Sequence, residues 1–305
     1  MPTVSAIITT FNRKQFLGLA IGSVLAQTYA NFELLILDNS SSDGTEQLVA
    51  EFPDARIRYI RHPEMNIAQQ RNLGLGEAQG EYVAFLDDDD EWLPRKLELQ
   101  LGVFAQGSER LALVYGGLVW VDPVGRELGG FKPNLRGRVL NGLLAQNPFT
   151  GSASNPMMRA SALKAISGYD NRITTGEDWE LYLRLAERYE VDYTPEPVLR
   201  IRQHPGARLG DRVADKMWLE ELVLARYGAG MSRALRSFYL QKIGGKLCRI
   251  GKVAEGRRRI MRAIAAHPFN GRAYVQYASS FFGTGFYRHI HRAYRRMYSL
   301  KTGIP

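Results

Sequence analysis

Gly80-Glu81-Tyr82-Val83-Ala84-Phe85-Leu86-Asp87-Asp88-Asp89-Asp90-Glu91-Trp92-Leu93-Pro94 joins a short apolar run to four consecutive aspartates. Tyr82 to Leu86 has the length of one buried strand, and the aspartates fall where that strand would emerge. Carboxylates at this density repel one another unless a cation sits among them. Hard divalent ions such as Mg²⁺ or Mn²⁺ take oxygen ligands and bridge phosphates. Open α/β sheets bind ligands at the carboxyl ends of their strands. The competing reading is an acidic loop at a helix start, where the macrodipole favours negative charge. Pro94 suits the first turn of such a helix, over 94–106.

The flanking sequence supplies the rest of a sheet. Val4 to Thr10 is β-branched and apolar, a buried strand ended by Phe11-Asn12-Arg13. Phe16, Leu17, Ala20, Ile21, Val24 and Leu25 then recur at helical spacing, predicting a helix over 14–27. A strand over 33–37 runs into Asp38-Asn39-Ser40-Ser41-Ser42-Asp43-Gly44, where Asp43 is placed to cap a helix over 44–52. A strand over 56–61 and a helix over 66–79 lead to the aspartate strand. This alternation implies parallel pairing with helices on both faces. It gathers Thr9, Thr10 and Asn12, Asp38 and Asn39, and Asp87 to Asp90 at one edge. No G-x-G-x-x-G follows the first strand and no P-loop occurs, which argues against a dinucleotide-binding or Walker-type site.

Further on, 111–121 reads as a strand, 122–125 as a turn, and 126–150 as a loop holding a short helix near 138–145. Residues 152–159 read as extended and 160–166 as a helix. Glu177 and Asp178 open another helix, and 191–194 and 197–203 are two extended pieces.

These segments together resemble the inverting family-2 glycosyltransferases, over about residues 3–206. The resemblance rests on Ile8-Thr9-Thr10-Phe11-Asn12-Arg13, Leu25-Ala26-Gln27-Thr28-Tyr29, Leu37-Asp38-Asn39-Ser40-Ser41-Ser42-Asp43-Gly44-Thr45, Ala68-Gln69-Gln70-Arg71-Asn72, Phe85-Leu86-Asp87-Asp88-Asp89-Asp90, Gly176-Glu177-Asp178 and His204, in that order. It implies the α/β nucleotide-diphospho-sugar transferase fold called GT-A, with a mostly parallel central sheet. It implies a catalytic domain over 1–206. Thr9, Phe11, Asn12, Asp38, Asn39, Arg71, Asp87 and Asp88 would bind the nucleotide. Asp89, with Asp87 and His204, would hold Mg²⁺ or Mn²⁺. Asp178, paired with Glu177, would be the general base, and Trp179 would line the acceptor site. Asn39 departs from the commoner Asp-Asp pair, so UDP- and dTDP-linked donors both fit. A non-catalytic protein on the same fold, and a sugar nucleotidylyltransferase, are the alternatives; the latter lacks its glycine cluster here.

Composition adds a second part. The chain has 305 residues, a formal net charge of +9 and a single cysteine, Cys248, so it has no disulfide framework. Residues 205–305 hold 20 Lys/Arg against 5 Asp/Glu, whereas residues 1–204 hold 20 against 26. The expectation is a basic helical region over 207–305 that faces an anionic surface. Helices are expected near 211–227, 231–250, 252–267, 270–282 and 286–300. The last is basic and aromatic, a form suited to a membrane surface. Nothing else in the chain points to nucleic acid. The start lacks a signal-peptide pattern and no apolar run is long enough to span a bilayer. A cytoplasmic protein, peripheral on the membrane beside a lipid-linked or glycan acceptor, is therefore expected.

Overall fold

Every residue of β1 (Val4–Thr10) and β2 (Phe32–Asp38) is buried in the computed structural model, which describes residues 1–145, 152–203, 213–283, 285 and 287. β1 pairs in parallel with β2 and with β4 (Tyr82–Asp87), and β2 pairs in parallel with β3 (Ile57–Arg61). The crossovers are α1 (Lys14–Leu25), α2 (Thr45–Ala50) and α3 (Ile67–Glu77). Strands buried along their whole length need cover on both faces, which explains why β1 and β2 are mostly apolar, with the buried Ser5 donating to Glu33 across them at 2.5 Å. Gly74 lets α3 approach closely: a Cβ there would lie 2.8 Å from Leu37 Cδ1 and 2.9 Å from Ile7 Cγ2. The N-cap of α2 is Gly44, at φ 87°, and not Asp43 as expected; Asp43 stands just before it and accepts from Thr45 N at 3.2 Å, from the Thr45 hydroxyl at 2.6 Å and from Lys14 N at 2.8 Å. One carboxylate thus serves the starts of two helices. Asn66 and Gln69 form a capping box on α3.

The other half of the sheet is mixed. Its strands are β5 (Asp90–Trp92), β6 (Leu111–Val121), β7 (Glu127–Phe131), β8 (Met157–Arg159) and β9 (Glu190–Arg202). The order is β3-β2-β1-β4-β8-β6-β9-β5, with β7 on β6. β8 runs antiparallel to both β4 and β6, while β9 is parallel to β6 and antiparallel to β5. The helices α4 (Lys96–Gln106), α5 (Leu140–Ala145), α6 (Ala160–Ala165) and α7 (Glu177–Arg188) complete this half.

Three strands also differ from the sequence reading. β5 lies inside the acidic run, where Asp90 pairs with Ile201. β7 is a strand where a loop was expected; Glu127 to Gly130 are exposed, so no buried alternation betrays them. β9 is one strand instead of two pieces. Pro195 and Pro197 interrupt only its register, opposite Gly116 and Gly117, because they lack the N–H a regular ladder needs.

The described residues divide into two compact units, Met1–Leu209 and Gly210–Pro305. The second contains α8 (Val213–Tyr227), α9 (Arg233–Arg249), α10 (Val253–Ala266), α11 (Gly271–Ser279) and a 3-10 turn, Ser280–Phe282. Leu240, Cys248, Ile260, Ala263, Ala273 and Tyr287 form its apolar cluster. α9 and α10 touch nearly backbone to backbone. A Cβ on Gly244 would lie 2.8 Å from Gly256 O, and one on Gly256 would lie 2.5 Å from Cys248 Sγ. Glu220 is buried and takes both Lys242 and Lys246, at 2.8 and 2.6 Å. The expected helix over 286–300 lies outside the described residues apart from Tyr287, which is buried.

Candidate active site

The parallel register sets Thr9 beside Asp87, and Thr10 beside Asp38, at one edge of the sheet. At this edge the aspartates are shared out among cations and hydroxyls. Arg13 NH1 lies 2.5 Å from Asp89 Oδ2 and 3.2 Å from Asp88 Oδ1. The Thr10 hydroxyl donates to Asp88 Oδ2 at 2.8 Å. Burial pushes the Asp88 carboxyl up to about 7; Arg13 opposes the rise and Asp89 adds to it.

Arg71, on α3, links this edge to the acids of α7. Its NH2 donates to Asp87 Oδ1 at 2.9 Å and its NH1 to Glu177 Oε1 at 2.5 Å. Only 5% of the Arg71 side chain is exposed. Burial works to lower its pKa, but Glu177, Tyr169, Asp87 and Asp178 together outweigh it and raise it. The rings of Phe85 and Tyr169 flank the guanidinium, each centroid 5.7 Å away.

Gly176, at φ 77°, turns the chain sharply into α7, whose first turn carries Glu177, Asp178 and Glu180. Asp178 is buried, and its Oδ1 accepts from Trp179 N at 2.7 Å. Burial pushes its carboxyl up to about 7, and Glu177 adds to the rise while Arg71 opposes it. A carboxyl in that range gains or loses a proton near neutral pH, which suits acid–base work. Trp179 lies partly exposed next to it, its Nε1 donating to Leu143 O at 3.0 Å.

The remaining residues sit as follows. Phe11 is 48% exposed at the end of β1. Asn12, at φ 52°, accepts from Ser42 N at 2.8 Å and donates its own N–H to Ser41 Oγ at 2.8 Å, tying the first two strand ends together. Asp38 is fully buried and accepts from Tyr59 OH at 2.5 Å and Ser41 N at 3.0 Å. Asn39 spends its amide on the backbone of Met65, at 2.8 and 3.0 Å. His204 lies outside the described residues. Arg13, Tyr59, Tyr169, Ser152 and Ser154 join the site although the sequence reading assigned them no role. For Arg13 the signal was its place in the strand-end motif; for the serines there was none.

A divalent cation fits the edge chemically. Asp87 and Asp89 keep 33% and 17% of their side chains exposed, and hard ions of this size bind one or two carboxylates and retain waters. Among the described residues, no group of three or more acids, histidines or cysteines is arranged to hold a metal ion.

The same architecture occurs in solved glycosyltransferases with the GT-A fold. S. aureus TarS 1–349, in complex with UDP-GlcNAc, superposes with a TM-score of 0.64 at 14% identity, over 97% of this chain and 92% of that one. The mannosyltransferase PcManGT of Pyrobaculum calidifontis, in complex with GDP-Man and Mn²⁺, gives 0.53 at 17% identity, over 98% and 81%. Among curated relatives, the UDP-Glc:α-D-GlcNAc-diphosphoundecaprenol β-1,3-glucosyltransferase WfgD of Escherichia coli is 40% identical over 114 residues, 37% of this chain and 44% of WfgD. The chain spans less than half the length of WfgD, and 34% of the length of a Rickettsia conorii glycosyltransferase that it also matches. The profile described as "Glycosyl transferase family 2" matches residues 5–167, more than half of the chain and all of β1 to β4 beyond Val4. With the fold in agreement with that match, the chain belongs to glycosyl transferase family 2.

Proposed function

We propose that the protein is an inverting glycosyltransferase. It would move a sugar from a nucleotide-diphospho sugar, UDP- or dTDP-linked, to a hydroxyl of a lipid-linked or polysaccharide acceptor. The observation that carries this reading is the Arg71 bridge. It brings the donor-side carboxylate Asp87 and the acid pair Glu177/Asp178 within reach of one guanidinium.

Each group then has a task. Asp178 takes the proton of the acceptor hydroxyl. Its Oδ1 is held by the Trp179 amide, which leaves Oδ2 to receive it. The acceptor oxygen bonds to the anomeric carbon as the bond from that carbon to the phosphate oxygen breaks. The nucleoside diphosphate leaves with the electron pair, and the configuration inverts. Arg71 holds Asp87 and Glu177 in place through the transfer, and Arg13 faces the edge where the diphosphate would lie. Asp87 and Asp89 would hold Mg²⁺ or Mn²⁺, which supplies Lewis-acid stabilisation of the leaving diphosphate. WfgD, whose name records a UDP-linked donor and a diphosphoundecaprenol acceptor, supports the uridine and lipid-linked choices.

Calorimetry with UDP and Mn²⁺ tests the reading. Asp89→Asn should abolish Mn²⁺-dependent UDP binding while the protein stays folded. Unchanged Mn²⁺-dependent affinity would remove the metal assignment. A wild-type protein that binds UDP but never turns over a UDP-sugar would favour a non-catalytic role.

A cytoplasmic, membrane-facing position belongs to the same proposal. Among the described residues no helix is long and apolar enough to cross a membrane. On α11 and its 3-10 turn, Tyr274, Val275, Phe281 and Phe282 are 47–70% exposed at helical spacing. Arg258 and Arg262 are exposed on α10. Exposed apolar side chains and exposed arginines in one unit suit an anionic lipid surface, at on the order of 1 kcal/mol per basic residue. Flotation with phosphatidylglycerol vesicles at low salt should carry the protein upward, and Phe281→Ser with Phe282→Ser should weaken it. Equal flotation of that double variant would assign the aromatics elsewhere.

A further inference from the structure

The four consecutive aspartates do not share one environment. Asp87 and Asp89 retain exposed side chains, Asp88 keeps 7%, and Asp90 is buried. Asp88 and Asp89 make the turn from β4 into β5, and Asp90 opens β5 facing the interior. What Asp90 meets in the interior is a short segment, Ser152 to Asn155. Ser152 Oγ donates to Asp90 Oδ2 at 2.9 Å and Ser154 Oγ donates to the same oxygen at 2.7 Å. Both serines are buried.

The same two hydroxyls reach Asp87. Ser154 Oγ accepts from Asp87 N at 3.0 Å, and Ser152 Oγ lies 3.3 Å from Asp87 Oδ2. A hydroxyl has one proton. Ser152 can therefore donate to Asp90 or to Asp87, and the shorter contact goes to Asp90. Ser154 N in turn donates to Ser152 Oγ at 3.0 Å.

The segment is fastened at its far end as well. Asn155 exchanges two hydrogen bonds with the backbone of Gly116, at 2.8 and 2.9 Å. Its carbonyl accepts from Lys96 Nζ at 2.5 Å and Gln100 Nε2 at 2.9 Å. Trp92 Nε1 donates to Ser154 O at 2.9 Å. Lys96 and Gln100 have no exposed surface. A buried polar group left without partners is costly, so this segment has few alternative placements.

We propose that Asp90, Ser152 and Ser154 form a clamp that positions Asp87, with Asp90 acting as a positioning residue and not as a ligand of the cation. The acidic run is thereby divided. Asp87 and Asp89 meet the ligand, while Asp90 holds the β4 exit against the segment behind it. This rests on the donor-side reading above. Groups that orient a metal ligand typically change metal affinity by about 10–100-fold when removed.

The test uses the full chain, UDP and Mn²⁺ in calorimetry, with thermal melts as the check on folding. Ser152→Ala and Asp90→Asn should each raise the Mn²⁺ concentration for half-maximal UDP binding by about 10-fold, with the Mn²⁺ dependence itself retained. Ser152→Thr keeps the hydroxyl and should restore the wild-type value. Asp89→Ala should remove the dependence outright. Two results overturn the proposal. One is an unchanged half-saturation in the folded Ser152→Ala and Asp90→Asn proteins, even with a lowered Tm, since that marks a purely structural contact. The other is a loss in Asp90→Asn as complete as in Asp89→Ala, since that makes Asp90 a ligand. If wild-type UDP binding ignores Mn²⁺, the metal assignment is what fails. The clamp is then read in turnover of a UDP-sugar, where Ser152→Ala should lower kcat about 10-fold at unchanged KM; unchanged kcat overturns it.

Discussion

The two acidic clusters of the site balance their charge in different ways. At the end of β4, Asp88 and Asp89 lean on Arg13, whose side chain is 28% exposed. At the start of α7, Glu177 leans on Arg71, 5% exposed and flanked by two rings. The first arrangement is exchangeable: a solvent-facing guanidinium can give way to another cation or turn to a phosphate. The second is fixed, and it leaves Asp178 near its protonation midpoint. On the proposed reading, the first cluster receives charge from outside and the second exchanges a proton.

Replacing Arg71 should have the largest effect on this contrast. Arg71→Ala strands Asp87 and Glu177, and breaking a buried ion pair costs about 3–5 kcal/mol. Denaturant unfolding should show that loss together with loss of transfer. Arg71→Lys cannot hold both carboxylates with one fork and should recover stability better than activity. A stable, active Arg71→Ala protein would break the comparison.

Asp178→Asn should come next, with transfer reduced by about 10²–10⁴-fold and UDP binding kept. In the wild type, kcat/KM should rise with pH through about 7 and then level off, because the base works only when ionised. The stability effect has the opposite sense. The folded carboxyl holds its proton above the ordinary carboxylate range, so the folded state loses stability as pH rises from about 4 to 7. Asp178→Asn should therefore raise Tm relative to the wild type at pH 8 and leave it nearly equal at pH 4. Equal differences at both pH values would mean that folding leaves the Asp178 pKa unchanged.

The smallest structural effect should be at Arg13. Arg13 keeps 28% of its side chain in solvent while Asp88 and Asp89 keep only 7% and 17%, so Arg13→Ala should lose some stability in denaturant unfolding but less than Arg71→Ala. Its UDP affinity should nevertheless fall about 10-fold, as expected for one lost charge-assisted contact. A destabilisation matching Arg71→Ala would show that Arg13 is as fixed as Arg71.

What the sequence made legible follows from how each element announces itself. β1, β2 and β4 are buried on both faces, so Val4–Thr10 and Tyr82–Leu86 stand out as apolar runs, and parallel topology then puts their polar ends together. The acids of α7 were legible only by resemblance; Arg71 connects them to the donor side through a contact 106 residues away. β5 was hidden because Asp90-Glu91-Trp92 continues an acidic run, and its pairing with β9 is a tertiary event. Ser152 and Ser154 are ordinary polar residues until the fold sets Asp90 above them. Asp38 and Asn39 show the reverse. Their motif announced a ligand, but in the structure Tyr59, Ser41 and Met65 already occupy their hydrogen bonds.

Cys248 gives the second unit a clock. Its thiol is 1% exposed, and burial pushes its pKa up. Because Gly256 presses on the sulfur from α10, a disulfide reagent can reach it only when α9 and α10 part. With no other cysteine in the chain, all labelling reports on this one site. When reclosing is faster than reaction, the labelling rate measures the opening equilibrium; in excess reagent it measures the opening rate itself. The timing of this helix pair can thus be followed in the unmodified protein, apart from anything that happens at the aspartates.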